Sequence, residues 1–330
     1  MDPINEDSIS RGDHPDQQRI SDAVKNIRTE IQKVIVGQDD LLMLLITGLF
    51  AGGHLLIEGV PGIAKTLVAK LLAKTLSIKF SRIQFTPDLM PSDVTGTSVF
   101  NFKNSEFIFN RGPVFSNIVL IDEINRSPAK TQAALFEVME EQQVTVDGST
   151  YRMEFPFMVL ATQNPIEQEG TYKLPEAQLD RFLFRVKINY PSLEEETKII
   201  ALFKEDFSNR KSEEVQPVFS AADIAACRQL TERVHIKDEL VAYIAQIVHQ
   251  TRNHGDLFLG ASPRASLAML RSSKALAAIK GRDFVTPDDI RFVSYPVLNH
   301  RIILTPEREM EGMEVEEVIS EIIRKIEVPR

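Results

Sequence analysis

The sequence predicts an α/β core, in which a parallel sheet lies between helices, followed by a second and smaller domain of helices. Between residues 54 and 188, short apolar runs typical of buried parallel strands alternate with segments of helical periodicity. Two further segments alternate in polarity around short turns, as β-hairpins do. Beyond residue 191 only helical periodicity remains, so we expect the architecture to change near that point.

Charge and composition restrict the class of protein. The chain has 330 residues, a length typical of about two domains. Its 38 basic and 47 acidic residues give a net charge of -9, opposite in sign to a surface that attracts nucleic acid or anionic lipid. The single cysteine, Cys227, can form no intramolecular disulfide, and no apolar stretch is long enough to span a bilayer. We therefore expect a cytoplasmic protein without membrane insertion and with no nucleic-acid partner.

The elements of the first domain follow in chain order. Residues 1–19 are polar and aperiodic, which predicts a flexible N-terminal tail, and apolar residues recur with helical spacing over 20–34. A second helix is predicted over 38–50. The strands are predicted at residues 54–57, 118–121, 157–161 and 184–188. The hairpins are predicted over 99–109, around Asn-Ser, and over 143–155, around Asp-Gly.

The second domain is predicted to be all-helical. Its helices are expected at residues 192–204, 221–231, 237–254, 263–279 and 287–297, with starts at Ser, Asp or Pro. The acidic segment 307–317 is expected to form a solvated helix face that docks on this domain. The predicted organisation is therefore a tail at 1–19, an α/β core at 20–190 and a helical domain at 191–330.

A glycine-rich motif lies between the first predicted strand and the helix that follows it. Residues 59–66 read Gly-Val-Pro-Gly-Ile-Ala-Lys-Thr, the pattern of a phosphate-binding loop. In such a loop, backbone N–H groups surround the phosphates, Lys65 reaches the β and γ oxygens, and Thr66 holds Mg²⁺. Ala64 departs from the usual glycine, and a positive φ there would cost about 1–2 kcal/mol. A turn that binds nothing is the alternative, which the flanking strand and helix disfavour.

Polar residues end two later strands. Asp122 and Glu123 follow the apolar run 118–121, an arrangement in which one acid can hold the metal and the other can polarise the attacking water. Asn164 follows the run 157–161 and could bond that water or the γ-phosphate. Each segment alone is also compatible with a simple acidic or Asn-Pro turn. Together with the glycine-rich loop, they predict a site that hydrolyses a nucleoside triphosphate.

These motifs, taken together, resemble an AAA+ ATPase, and in detail its MoxR branch. The resemblance runs from about residue 35 to the C-terminus and includes Ala64, because the MoxR form of the loop is similar at that position. The other stretches that carry it are residues 84–89, 122–126, 161–165, 174–182 and 262–265. The resemblance implies an AAA+ P-loop core with two inserted hairpins and a helical lid, with ATP and Mg²⁺ as ligands.

The resemblance also implies roles for individual residues. Arg181 resembles the arginine finger that reaches the γ-phosphate bound by a neighbouring subunit, with Arg185 as the weaker candidate. A surface arginine paired with Asp180 or Glu176 is the alternative for Arg181. Arg264 resembles sensor 2, which couples nucleotide state to the lid. The predicted catalytic residues are Lys65, Asp122, Glu123, Asn164 and Arg181; the nucleotide-binding residues are Val36, Gly37, Gln38, Gly59, Val60, Pro61, Gly62, Ile63, Ala64, Lys65, Thr66, Leu67 and Arg264; and the Mg²⁺ ligands are Thr66 and Asp122.

At the level of function, the resemblance implies a hexameric homo-oligomeric ring that uses ATP hydrolysis to remodel or mature a client protein or to insert its metal or cofactor. A von Willebrand factor A domain protein is the implied partner, and the hairpins would face the ring pore or the client. A nucleic-acid motor is a second possibility, which the negative net charge disfavours. A nucleotide-gated scaffold that barely hydrolyses is a third, and the complete set of catalytic positions disfavours it.

Overall fold

The computed structural model describes residues 15–60, 62–164, 172, 174–204 and 211–329. The strands, numbered in chain order, are β1 Leu55–Gly59, β2 Phe80–Gln84, β3 Gly96–Asn101, β4 Glu106–Arg111, β5 Ile118–Asp122, β6 Gln143–Val146, β7 Ser149–Arg152, β8 Met158–Gln163, β9 Phe184–Ile188, β10 Leu257–Leu259 and β11 Ile303–Leu304. The helices are α1 Pro15–Gln32, α2 Asp39–Ala51, α3 Lys65–Thr75, α4 Pro91–Thr95, α5 Ala129–Glu141, α6 Glu176–Leu179, α7 Leu193–Phe203, α8 Lys211–Glu214, α9 Ala221–Arg233, α10 Asp238–Arg252, α11 Pro263–Ile279, α12 Pro287–Leu298, α13 Pro306–Met310 and α14 Val315–Lys325.

The core is a five-stranded parallel sheet in the order β2-β5-β8-β1-β9, which confirms the α/β class. Strands β1 and β5 are buried along their whole length and consist mostly of Leu, Ile and Val, as strands covered on both faces do. The edge strand β2 escaped the sequence prediction because only Ile83 of its residues is fully buried. Parallel pairing brings the carboxyl ends of all five strands to one edge of the sheet.

Two antiparallel hairpins leave this frame, as predicted. In the β3–β4 hairpin the pairing extends from Gly96 with Arg111 to Asn101 with Glu106, a longer ladder than the sequence indicates. The β6–β7 hairpin turns at Asp147 and Gly148, both with positive φ, which is the backbone of a type I′ turn. The ring of Phe109 stacks on that of Tyr151 with centroids 4.4 Å apart, so the two hairpins pack against each other.

The C-terminal lid is helical with one exception. Strands β10 and β11 form a two-stranded antiparallel sheet, so the prediction that strands are absent after residue 191 is wrong in this detail. These strands have three and two residues, too few to show an alternating pattern in the sequence. They also pair across almost fifty residues, which no local signal reports. The acidic segment forms part of α13 and α14, and α14 packs on α10 and α12.

Helices at the N-terminus join the core to the lid. Helix α1 begins at Pro15, before the predicted start near residue 20, and residues 1–14 lie outside the described part of the chain. It packs against α3 of the core and α11 of the lid, while α2 contacts both α9 and α11. The lid therefore lies against the α1–α2 side of the core. Within the described residues, no helix is both long and apolar enough to cross a membrane.

Candidate functional site

A cleft of about 380 Å³ opens at the carboxyl edge of the sheet, around the end of β1. The structure brings nine of the predicted residues together there: Gly62, Ile63, Ala64, Lys65, Thr66, Leu67, Asp122, Glu123 and Asn164. The other residues that line the cleft are Arg82, Gln84 and Thr162. Of the remaining predicted loop residues, Gly59 and Val60 do not line it, and Pro61 lies outside the described residues.

The loop between β1 and α3 is shaped by three small residues. A Cβ on Gly59 would lie 2.6 Å from Ile63 Cδ1 and 3.0 Å from Ile188 O, so a larger residue there would have to displace the Ile63 side chain. Gly62 has a φ of 89°, and a Cβ there would meet nothing within 4 Å. Ala64 has a φ of 59° and a ψ of 19°, which is the positive-φ, left-handed conformation considered for this residue in the sequence analysis. Its side chain therefore carries a steric cost of about 1 kcal/mol.

Lys65 opens helix α3 and faces the carboxylates across the cleft. Its ammonium donates to Gly59 O at 2.6 Å. Burial of the ammonium lowers the pKa of Lys65, and the nearby carboxylates of Asp122, Glu123 and Glu58 oppose that shift. The first N–H groups of α3 have no partner within the helix and point toward the same region. The loop thus combines a cation with backbone donors, which suits a bound phosphate chain.

The two carboxylates at the end of β5 are held by the strands on either side. Asp122 Oδ1 accepts from Thr162 Oγ1 at 3.2 Å, and Asp122 Oδ2 lies 2.5 Å from Arg82 Nε. Glu123 N donates to the same Thr162 hydroxyl at 3.1 Å, and Glu123 Oε2 accepts from Gln84 Nε2 at 2.9 Å. The sequence prediction missed Arg82, Gln84 and Thr162. Recognition of β2 as a strand would have revealed Arg82 and Gln84, because alternate residues of a strand share a face.

The donors in the cleft fit a magnesium ion. Thr66 contributes a hydroxyl oxygen and Asp122 a carboxylate, which are hard oxygen ligands of the kind that Mg²⁺ prefers. Asp122 is buried and pairs with a cation, Arg82, so its carboxylate faces positive charge in the cleft. Asn164 is also buried, at the end of β8, and its side chain lines the same cleft.

A second cavity, of about 660 Å³, lies on the other side of the glycine-rich loop. Val36 and Gln38 line it, together with Tyr190, Pro191 and Tyr295 among others. Gln38 Nε2 donates to Ile63 O at 2.7 Å and so ties this cavity to the loop. Gly37 has a φ of 71°, a left-handed backbone conformation that favours glycine at this position. This cavity, with its aromatic lining, has the character of a base pocket.

Arg185 belongs to this second cavity. Its Nη2 lies 2.7 Å from Glu58 Oε2, and its Nη1 donates to Asn299 O at 3.2 Å. The side chain is thus held within its own chain, between β1 and the end of α12. This location argues against Arg185 as a finger for a neighbouring subunit.

Arg181 and Arg264 lie together in a third cavity, of about 300 Å³, and neither lines the phosphate cleft. Arg181 Nη1 lies 2.5 Å from Glu140 Oε2, and Arg264 Nη2 lies 3.3 Å from Glu140 Oε1. Arg181 therefore pairs with Glu140 rather than with Asp180 or Glu176. Arg264 lines the third cavity and not the phosphate cleft of its own chain. The reason is that α11 packs on α2, which brings its first turn beside Asp180.

Comparison with known proteins gives a consistent result. Residues 54–184 match the model of the "ATPase family associated with various cellular activities (AAA)", and residues 249–322 match that of the AAA lid domain. An uncharacterized Bacillus subtilis protein, YeaC, is 46% identical over 91% of this chain and 92% of its own. Chaperone MoxR1 of Mycobacterium tuberculosis is 42% identical over 91% of this chain and 81% of its own. The crystal structure of a candidate ATPase from Cytophaga hutchinsonii is similar with a TM-score of 0.89 and 43% identity, over 96% of this chain and 98% of that one.

Proposed function

The chain belongs to the MoxR family of AAA+ ATPases, and from that premise we propose that it hydrolyses ATP at a site shared by two copies of the chain. The observation that carries the proposal is the separation of two groups of residues. One cleft is lined by Lys65, Thr66, Asp122, Glu123 and Asn164. Arg181 and Arg264 lie in another cavity. A complete site then requires the arginines of a second copy.

Within one chain, the proposed roles follow from the contacts. The base lies in the cavity lined by Val36 and Gln38, and the phosphates lie across the glycine-rich loop at Lys65. Thr66 and Asp122 would hold Mg²⁺, which would supply positive charge to the phosphate chain.

Two residues act on the attacking water. Glu123, held by Gln84 and by its own backbone bond to Thr162, polarises the water as general base. Asn164, at the tip of the neighbouring strand β8, aligns the water against the γ-phosphate. Both side chains sit on strand ends of a rigid sheet, which supports a fixed geometry.

The neighbouring chain completes the site with Arg181 and Arg264. Both line the third cavity, in which four arginines outnumber two acidic residues, Glu140 and Asp180. The net positive charge of this cavity suits an anion such as the γ-phosphate of the neighbour's ATP. Repetition of such a head-to-tail contact closes a ring. We propose a hexamer on the basis of the family. We also propose that the nucleotide controls the position of the lid, because Tyr295 and Asn299 of the lid line the base cavity.

The role of the machine is proposed to be chaperone-like maturation or remodelling of a client protein, with insertion of its metal or cofactor as a specific form. A relative that is named a chaperone, at 42% identity, supports this. A partner with a von Willebrand factor A domain and a reducing, cytoplasmic compartment complete the proposal. The exposed aromatic residues of the β3–β4 hairpin, Phe102 and Phe107, are a suitable contact for an unfolded or partly folded client.

The test is steady-state ATP hydrolysis measured against protein concentration, with the mass of the assembly measured in parallel. We expect the rate per chain to rise as the chains assemble, and to fall by about 10³-fold in Arg181→Ala while ATP binding persists. Arg233→Ala, which removes an exposed lid arginine outside both cavities, is the matched control. A near-zero rate in assembled, ATP-bound wild type would support the scaffold instead, and strong stimulation by DNA would support the nucleic-acid motor.

A further inference from the structure

The turn that carries Arg181 is held by a buried arginine of the lid. Arg301 follows α12 and inserts between the lid and residues 180–183 of the core, with only 4% of its side chain exposed. Arg301 Nε donates to Asp180 Oδ1 at 2.7 Å. Burial lowers the pKa of Arg301, and the neighbouring Asp180 carboxylate opposes that shift. We call this ion pair, Arg301 with Asp180, the lid clamp.

The guanidinium of the lid clamp also binds the backbone on both sides of Arg181. Arg301 Nη2 donates to Asp180 O at 3.2 Å and to Phe182 O at 2.6 Å, and Arg301 Nη1 donates to Leu183 O at 3.2 Å. A buried guanidinium requires such partners, because an unpaired charge there is strongly destabilising. The planar fork of an arginine presents five N–H donors in a fixed geometry, whereas a lysine has three donors on a compact ammonium and cannot reproduce all of these bonds.

Other lid residues hold the same turn from two directions. The buried imidazole of His300 lies with Nε2 3.1 Å from Phe182 O, and burial lowers its pKa well below the usual value, so it is neutral. From the start of α11, Ser262 Oγ donates to Asp180 Oδ2 at 3.2 Å. The turn therefore has little freedom to move relative to the lid.

The side chain of Arg181 leaves this turn in the direction of α5. It donates to Phe136 O at 2.9 Å and pairs with Glu140. Its reach toward a neighbouring chain depends on where the turn is held, since the side chain is anchored at residue 181. Misplacement of a catalytic group by about 1 Å can reduce a rate by about 10²-fold.

We propose that the lid clamp is a positioning element for Arg181, so that Arg301 determines how well one chain serves the nucleotide site of its neighbour. The proposal rests on the shared site described above. Neither Arg301 nor Asp180 lines the phosphate cleft or the base cavity of its own chain. Loss of the lid clamp should therefore impair the finger that a chain offers and spare the ATP site that it holds.

Mixed assemblies separate these two halves of the reaction. Lys65→Ala chains have a defective ATP site and an intact finger, and Arg181→Ala chains have the reverse. The two clamp variants are Arg301→Lys and Asp180→Asn, which change opposite sides of the ion pair. Each clamp variant is mixed in equal amounts with Lys65→Ala and, separately, with Arg181→Ala. In a randomly mixed ring, about a quarter of the interfaces join an intact ATP site to an intact finger when the two defects are complementary.

Each clamp variant alone should lose about tenfold or more of the ATPase rate, with ATP binding within about twofold of wild type. Addition of Lys65→Ala should restore the rate toward about a quarter of wild type, whereas addition of Arg181→Ala should not. Arg282→Lys is the matched control, because that arginine also pairs with a buried acid, Asp289, but does so within the lid. We expect Arg282→Lys to lower the stability of the protein but to give the same ATPase rate relative to wild type in both mixtures.

The outcomes separate the inference from the proposed function. If Lys65→Ala and Arg181→Ala complement each other, the positioning role would be overturned when both mixtures restore the ATPase rate of a clamp variant equally, or when neither does. Failure of those two reference variants to complement each other would overturn the shared site and the lid clamp with it.

Discussion

Ala64 is the residue at which the phosphate-binding loop departs from its usual composition, and it has a left-handed backbone. Glycine there removes a steric cost of about 1 kcal/mol, offset in part by greater freedom of the unfolded chain. Ala64→Gly should therefore leave the free energy of unfolding unchanged or raise it, in urea titrations. Ala201→Gly, at an exposed position in helix α7, should lower it by about 1 kcal/mol. Equal losses in both variants would contradict a strained Ala64.

Glu123 is held by Gln84 within reach of the phosphate cleft. Replacement by glutamine keeps the size of the side chain and removes its basicity, so Glu123→Gln should bind ATP normally and lose about 10²-fold or more of turnover. Binding is measured with a fluorescent ATP analogue and turnover by phosphate release. Glu141→Gln, on the exposed end of α5, is the control. Turnover that survives in Glu123→Gln would remove the general base from the mechanism.

His54 links two elements of the core through a neutral imidazole. Its Nδ1 accepts from Val159 N at 2.9 Å, its Nε2 lies 3.0 Å from Met139 O, and burial lowers its pKa from 6.5 to about 4. Because the unfolded chain binds a proton that the folded chain excludes, stability is complete above pH 6.5 and declines toward pH 4. His54 contributes up to about 3 kcal/mol to this decline.

Unfolding by urea between pH 7.5 and pH 4.5 measures this effect. His54→Gln should flatten the pH dependence of the unfolding free energy, although His300 shifts in the same direction and leaves part of it. His249→Gln, which replaces an exposed histidine on α10, is the matched control. An equal slope in all three proteins would contradict the assignment.

At the scale of elements, the two hairpins form a joint projection from the core. Phe109 of β4 stacks on Tyr151 of β7, whereas Phe102 at the tip of the first hairpin has 88% of its side chain exposed. Phe109→Ser should lower the melting temperature because it removes the contact between the hairpins. Phe102→Ser should leave melting unchanged and reduce binding of an apolar dye. The reverse order of the two melting temperatures would show that the hairpins are held by other contacts.

Helix α12 connects features that are distant in sequence. Its residue Tyr295 lines the base cavity, and the helix ends directly before the segment that contains His300 and Arg301. The sequence predicted this helix almost to the residue, because proline and an acidic first turn mark its start. Its position between the base cavity and the turn of Arg181 depended on packing that periodicity does not report.

For the whole molecule, the arrangement of lid and core puts Arg264 beside Arg181, so in the proposed ring we expect both arginines to serve the neighbouring chain. Arg264→Ala should therefore lose ATPase activity and regain it when mixed with Lys65→Ala, but not when mixed with Arg181→Ala. The physical reason is that Arg264 shares Glu140 and the third cavity with Arg181. ATPase measurements on the two mixtures decide this, with Lys274→Ala as the control, because Lys274 is a half-buried residue further along α11 that bonds Glu232 O and lines neither the phosphate cleft nor the third cavity. Rescue by Arg181→Ala alone would place Arg264 at the nucleotide of its own chain.

The sequence by itself predicted four of the five sheet strands to within two residues and put the glycine-rich loop, Lys65, Asp122 and Glu123 directly after two of them. Such features are local: a few consecutive residues set the backbone, and parallel pairing brings strand ends to one edge. Tertiary structure alone decided which charges meet. Arg82 with Asp122, Arg264 with Glu140, and Arg301 with Asp180 join segments from 40 to 124 residues apart. Ion pairs between distant segments depend on how helices and sheet pack, and no periodic pattern along the chain encodes that packing.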